Sequence, residues 1–330
     1  MDYEIKTLCN PEAEVRGGYS VSAQMKQVWN IQLNMLVRLM EVCDKYRLKV
    51  TLDSGSLLGA VRHRGFIPWD DDIDVDMSRS DYDKLVAVAE KEFAGPFRFQ
   101  CAYTEEGYYR GHAQLRCDDT AMIIPAEGQR GYDFHQGIFI DIFPTDGIPD
   151  NPEERVRLTA EAERVQEFLW MRRYPLRRVL HGKRYRRLRA VLGEKAEWED
   201  RRLFSYFEDL FRQYPPEETS TCGHLSLSLS RLKRSMKPFG WYDEVIYVPF
   251  EGIQAPVPRR HHEVLERLYG KDYMKPREAP SMHGEVIIDV ERPYTVYLPA
   301  LRLSYVGTVC MALRNKAGQW IRKSGWRKGR

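Results

Sequence analysis

The chain has no hydrophobic run long enough to cross a bilayer. Its longest mostly apolar stretch near either end, Leu303 to Leu313, covers 11 residues and is broken by Ser, Gly and Thr, whereas a spanning helix needs about 20 apolar residues. The opening MDYEIKTLCN is acidic and polar and lacks the apolar core of a secretory signal. Paired cysteines are missing as well: the six, at positions 9, 43, 101, 117, 222 and 310, form no Cys-x-x-Cys and no zinc spacing. Scattered cysteines of this kind read as reduced thiols of a cytoplasmic protein. Cys222-Gly223-His224 offers two metal ligands without the second pair that a structural zinc site needs. Acids are absent from two segments, Phe168 to Gly193 and Arg292 to Arg330, each with nine Lys/Arg, so the remaining chain is acidic beneath a net charge of +3. The basic runs contain no recognition module for nucleic acid, which argues against such a partner.

What is present, in 330 residues with 43% hydrophobic and 12% aromatic content, is a globular α/β (α+β) chain of one large domain or two modest ones. Its most informative stretch is DSGSLLGAVRHRGFIPWDDDIDVDM, from Asp53 to Met77. Asp70, Asp72, Asp74 and Asp76 fall at every second position, a strand period that places Asp72 and Asp74 on one face. Their charges repel unless a cation lies between them. An EF-hand is excluded, because Val75 and Asp81 stand where it needs Gly and Glu. Upstream, Gly55-Ser56 follows the strand-like Val50-Thr51-Leu52 and opens a short helix with Ser56 at its N-terminus. Such a turn presents backbone N–H groups to a phosphate. Arg62, His63 and Arg64 end that helix, either as phosphate contacts or as charge compensation at its C-terminus.

Residues 22 to 46 read as an amphipathic helix with Trp29, Leu33, Leu36, Met40 and Cys43 on one side. Ser80 is expected to cap a helix to about Phe93, and Phe97 to Cys101 and Ala113 to Arg116 are expected strands. Arg116 is a candidate phosphate or nucleotide contact, with an ion pair to Asp118 or Asp119 as the alternative. In Gly137 to Pro144 the only charged residue is Asp141. A continuous apolar strand is buried on both faces, and a buried carboxylate is costly unless paired or metal-bound. Asp141 is therefore the expected third carboxylate beside Asp72 and Asp74, with a salt bridge to a buried Arg as the alternative. Hard oxygen ligands favour Mg²⁺, with Mn²⁺ the alternative. Lys271 and Lys275 could reach phosphate.

The organisation expected is a core with the metal site over 1–150, a helical basic insertion over 151–240, a return to the core over 241–300 and a basic, Trp-containing tail over 301–330. The insertion's basic run could bind acidic glycan, lipid phosphate or nucleic acid, or be merely solvated. The tail combines apolar residues, Trp320, Trp326 and Lys/Arg, which suggests a peripheral helix on an anionic membrane; a docked C-terminal helix is the alternative.

GSLLGAVRHRGFIPWDDDIDV resembles the signature of the LicD family, bacterial phosphocholine transferases related to fukutin and fukutin-related protein. FIDIFP around Asp141 and FEGIQAPVP with LERLYGKDYMKP farther on are similar to the same family, so the likeness covers about 25 to 145 and 245 to 285. The resemblance implies a nucleotidyltransferase-like mixed sheet with helices. It also implies transfer of a phospho-alcohol, phosphocholine or a polyol phosphate, from a CDP-activated donor to a glycan or its lipid-linked precursor. His283 occupies the place of a histidine in the family's C-terminal motif. On this reading Asp72, Asp74 and Asp141 hold one or two metal ions, Gly55 and Ser56 hold donor phosphate, and Asp141 takes the hydroxyl proton. The rivals are a true nucleotidyltransferase that moves NMP from an NTP, and an inactive membrane-associated adaptor. Without an anchor, the expected location is the cytoplasm, at the inner face of the plasma membrane when peripheral.

Overall fold

A computed structural model describes residues 3–224, 236–277 and 285–304, with 306, 307, 310, 311 and 314 beyond them. A small hairpin, β1 (Glu14–Arg16) and β2 (Tyr19–Val21), leads into the long helix α1 (Ala23–Tyr46). The Ser22 hydroxyl accepts from the Met25 N–H at 3.1 Å to cap α1, and Arg47 ends it in the left-handed region at φ 56°. The stripe of Trp29, Leu33, Leu36 and Cys43 is fully buried, as its spacing predicts.

α1 lies against a mixed sheet of β3 (Thr51–Leu52), β4 (Asp74–Ser78), β5 (Phe97–Gln100), β6 (Ala113–Cys117) and β8 (Phe139–Ile148), ordered β3-β4-β8-β6-β5. β9 (Thr221–Gly223) extends it by pairing with the far half of β8. The pair β4–β8 is parallel, with Asp74 opposite Asp141, and the others are antiparallel. Register sorts the residues by face. Ile73, Val75 and Met77, with Ile140, Ile142 and Leu115, are buried in the apolar core. The alternate positions form a polar row across neighbouring strands: Gln114 pairs with Asp141, Asp141 with Asp74, and the Asp53 N–H donates to the Asp74 carbonyl at 3.0 Å. Period-two alternation makes the sheet a hydrophobic support on one side and a chemical surface on the other.

Helix α2 (Ser54–His63) crosses from β3, and α3 (Arg79–Glu92) follows β4. Three local expectations are corrected. The strand begins at Asp74, and Asp70–Asp72 lie in the loop before it. That loop keeps its alternation because α1 grips its backbone: Trp29 Nε1 donates to the Asp70 carbonyl at 3.1 Å, and Gln32 Nε2 to the Asp71 carbonyl at 2.8 Å. Helix α2 starts at Ser54 with Asp53 at its N-cap position, so Ser56 lies inside the first turn. Ser78 caps α3 in place of Ser80, its hydroxyl accepting from the Asp81 N–H at 3.2 Å.

β7 (Ala121–Ile123) and α4 (Pro125–Gln129) precede β8. After it, α5 (Pro152–Arg173) begins at Asn151, whose side chain accepts from the Glu153 N–H at 2.8 Å. α5 packs Val165, Phe168 and Leu169 against Leu203, Phe204 and Phe211 of α8 (Asp200–Arg212), with α6 (Pro175–Leu180) and α7 (Gly182–Leu192) between them in sequence. This second core is tied to the sheet by a buried ion network: Arg79 Nε stands 2.6 Å from Asp146 and its Nη1 3.2 Å from Glu208. The hairpin β10 (Val245–Phe250) and β11 (Ile253–Pro258) and helix α9 (His261–Tyr269) close over α2. Strand β12 (Ile287–Asp289) pairs with β7. Among the described residues no helix is long and apolar enough to cross a membrane.

Candidate active site

Asp72, Asp74 and Asp141 meet at the edge where α2 approaches the sheet, with one carboxylate oxygen of each within 4.8 Å of the others. Asp72 comes from the loop, Asp74 from the first position of β4 and Asp141 from β8. Burial pushes the Asp72 and Asp74 carboxyls well above the ordinary carboxylate range, and the surrounding carboxylates push the same way, Asp70 and Asp141 acting on Asp72, Asp72 and Asp141 on Asp74. Burial would raise Asp141 too, but His112, Arg110 and Gln114 outweigh it and hold this carboxyl below its usual value. The three groups therefore differ: Asp141 is held charged by the protein, whereas Asp72 and Asp74 have charges that only a cation would offset. Hard oxygen donors clustered in a partly open niche suit a divalent magnesium-like ion.

Asp141 is carried by a chain of buried polar groups. Gln114 Nε2 donates to Asp141 Oδ1 at 2.6 Å, and Arg116 Nη2 donates to Gln114 Oε1 at 2.5 Å. Arg116 also donates to Gln100 Oε1 at 2.9 Å and to the Gly137 carbonyl at 2.7 Å, and its guanidinium covers the Phe139 ring. The residue expected either at phosphate or paired with Asp118 or Asp119 is thus a buried buttress behind the carboxylate. Asp118 pairs with Arg98 at 2.7 Å instead. On the other side, His112 Nε2 lies 3.3 Å from Asp141 Oδ1.

The α2 turn is shaped by what stands against it. A Cβ on Gly55 would come within 2.7 Å of Asp70 Oδ2, so glycine lets this turn approach the acidic loop. The Ser56 hydroxyl accepts from the Asp74 N–H at 2.9 Å and so pins the start of β4. At the C-terminal end, Arg62 Nε donates to His63 Nε2 at 2.9 Å and Arg62 Nη1 to the Tyr273 carbonyl at 2.9 Å. Burial, then the charge of Arg62, lowers His63 to about 4. Arg64 is exposed in the left-handed region at φ 55°, its carbonyl accepting from the Glu251 N–H. Lys271 and Lys275 are exposed, and Lys275 Nζ stands 2.9 Å from Asp272. His283 lies outside the described residues.

A second buried cluster, which the sequence did not announce, flanks the first. Lys237 Nζ stands 3.2 Å from Asp53 Oδ1 and 3.7 Å from Asp76 Oδ2. His224 Nε2 is 3.5 Å from Asp76 and 4.0 Å from Asp53, and its ring stacks on Phe143, which His112 contacts from elsewhere. Thr145 donates to Asp76 as well. Asp53, Asp76 and His224 have ligand atoms close enough for a metal, but the ammonium of Lys237 already supplies the positive charge there. Two residues beyond 220, His224 and Lys237, therefore pair with Asp53 after β3 and Asp76 within β4, beside the candidate metal-binding carboxylates. The only sequence signal for them was the pair Cys222-Gly223-His224, read as an incomplete metal motif.

The family model for the LicD/FKTN/FKRP nucleotidyltransferase domain matches residues 47–151, a span that contains α2, the acidic loop and Asp141. The lipopolysaccharide cholinephosphotransferase LicD of Haemophilus influenzae is 32% identical over 261 residues, which are 76% of this chain and 92% of that protein. Uncharacterized proteins of Rickettsia prowazekii and Rickettsia typhi are each 49% identical over 41 residues, 12% of this chain and 15% and 13% of theirs. With likeness running through nearly the whole of a characterised relative, the chain belongs to the LicD family.

Proposed function

We propose that this enzyme moves a phospho-alcohol, phosphocholine in the first instance, from a CDP-activated donor to a hydroxyl of a cell-surface glycan or its lipid-linked precursor. The observation that carries the reading is the convergence of Asp72, Asp74 and Asp141 beside the first turn of α2, in a chain related over most of its length to a cholinephosphotransferase. Asp72 and Asp74, with Asp141, would hold Mg²⁺ or Mn²⁺, which when bound offsets the charge of the donor diphosphate. The α2 turn, opened by Gly55, offers its N–H groups and the positive end of the helix to donor phosphate.

Asp141 is the carboxylate that takes the acceptor's proton, since Gln114 and His112 hold it charged and oriented. The hydroxyl oxygen bonds to the distal phosphorus, the bond from that phosphorus to the bridging oxygen breaks, and CMP leaves with the electron pair. His63, held neutral at neutral pH, adds no charge beside Arg62. The test is CMP release in Mg²⁺ across CDP-choline, CDP-ethanolamine, CDP-glycerol and CDP-ribitol, beside CTP and UTP. CMP from one CDP-alcohol supports the proposal and names the donor, whereas pyrophosphate from a plain NTP would move the chain to the nucleotidyltransferases proper.

A further inference from the structure

A cavity of about 430 Å³ opens between the α4 region and helices α5, α6 and α7, within the roughly 300–1,000 Å³ typical of small-ligand sites. Four arginines line it, and they are not equivalent. Arg110 is paired with Glu127, and Arg184 with Glu167 at 2.5 Å. Arg177 donates only to the Tyr132 hydroxyl, at 3.1 Å, and among the described residues neither it nor Arg130 forms an ion pair. Two guanidiniums thus line the cavity without an ion-pair partner among the described residues, against one lining carboxylate, Glu163, that is likewise outside any ion pair. On the α5 side, half-buried Trp170 stacks on Tyr132 at 4.7 Å, with Glu163 and Gln166 nearby. Gln166 spends its Nε2 on the Tyr109 carbonyl, which leaves its side-chain carbonyl as an acceptor.

These chemistries select among ligands. A quaternary ammonium needs bare aromatic faces, and here the two lining aromatics, Tyr132 and Trp170, are stacked on each other, with Tyr174 also stacked on Trp170, so their faces are spent. A purely apolar ligand would strand the arginines. A sugar ring bearing a carboxylate or phosphate satisfies every group: the anion takes a forked guanidinium, hydroxyls take carboxylate and amide, and an indole edge borders the ring. The cavity also adjoins the candidate site through a run of side-chain contacts: Arg110 lies over the Tyr108 ring at 5.7 Å, Tyr108 meets the His112 ring edge-on at 6.4 Å, and His112 Nε2 stands 3.3 Å from Asp141.

We propose that this cavity is a subsite for an anionic saccharide of the acceptor, with its carboxylate or phosphate on Arg130 and Arg177 and its hydroxyls on Glu163 and Gln166. The proposal rests on reading the chain as a glycan-modifying transferase. It also gives part of the basic run after Phe168 a specific task.

The full-length protein is titrated by calorimetry and saturation-transfer NMR with galacturonic acid, glucose 6-phosphate and glucose, and separately with CDP-choline and Mg²⁺. The charged sugars should bind, glucose should bind roughly tenfold more weakly, and the double variant Arg130→Met/Arg177→Met should lose at least about tenfold for the charged sugars. Affinity for CDP-choline should stay unchanged in that variant. Failure of the wild type to bind either charged sugar would overturn the assignment, as would equal binding by the double variant. An equal loss of CDP-choline would also overturn it, since the cavity would then belong to the donor. Charged-sugar binding without any CDP-choline binding would support the cavity while sinking the transfer reaction.

Discussion

Replacing Lys237 by Met tests the buried charge cluster that flanks β4. Methionine keeps the length and apolar stem of lysine and removes the ammonium that stands 3.2 Å from Asp53 and 3.7 Å from Asp76. Breaking a buried pair by deleting one partner costs about 3–5 kcal/mol, because two carboxylates are left with only the His224 ring to offset them. The loss should depend on pH. In the wild type, burial pushes Asp53 up, but Lys237 and then His224 outweigh it and hold the carboxyl at about 2, below its ordinary 3.8. A depressed carboxyl contributes stability that is complete above its unfolded value and is lost as pH falls through the folded one. This contribution is about 2 kcal/mol. Without Lys237 the largest influence holding this carboxyl down is gone while its burial remains, so the deficit is greatest where the carboxyl is charged and shrinks as protons return to it. Urea unfolding followed by Trp fluorescence, at about pH 7.5 and about pH 5, should therefore show a wide gap between variant and wild type that narrows on acidification. Adding Asp53→Asn to Lys237→Met should restore part of the loss, a coupling read from the double-mutant cycle. A Lys237→Met protein that lost under about 1 kcal/mol at the higher pH, or whose deficit grew on acidification, would refute the reasoning.

Asp74→Asn should abolish transfer by at least about a hundredfold and remove stabilisation by Mg²⁺, yet in EDTA it should melt no lower than wild type, since it relieves repulsion among buried carboxylates. For the same reason wild type in EDTA should lose melting temperature as pH rises through the elevated Asp72 and Asp74 values, and Mg²⁺ should cancel that loss. Gly59→Ala should cost about 1–3 kcal/mol in urea unfolding, because its Cβ would stand 2.5 Å from the Gly65 carbonyl, a backbone atom that has no rotamer to yield. Leu303, Val306 and Met311 are exposed at 74%, 47% and 63%, so a chain truncated before Leu303 should lose sedimentation with anionic vesicles and keep its melting temperature.

The elements nearest the site were readable because each rests on a local rule. The α1 stripe follows helical spacing, and Asp141 is legible because it is the one charge between Gly137 and Pro144. The alternating aspartates mislead at one point: Asp70 and Asp72 keep the period of a strand while lying in a loop, whose backbone Trp29 and Gln32 bind from another element. Arg116 shows the limit differently. Its sequence neighbours Asp118 and Asp119 suggested a partner, but strand geometry sends it to the buried side groups of Gln100 and Gln114. Lys237 carries no local pattern, and His224 only the unpaired Cys222-Gly223-His224, which points to a metal and not to Asp53 and Asp76. They meet Asp53 and Asp76 only through tertiary structure, which periodicity along one chain segment does not encode.

The parallel pairing of β4 with β8 has a consequence for how the molecule assembles. Asp74 and Asp141 become neighbours only when the whole crossover through α3, β5, β6 and β7 has closed, so the chain pays its loop-closure entropy before the carboxylates meet. Until then Asp141 is remote and adds nothing to the repulsion between Asp72 and Asp74. The step that seats β8 is therefore the one at which a third carboxylate joins the two already repelling each other, and it is the step that a divalent ion in the refolding buffer would accelerate.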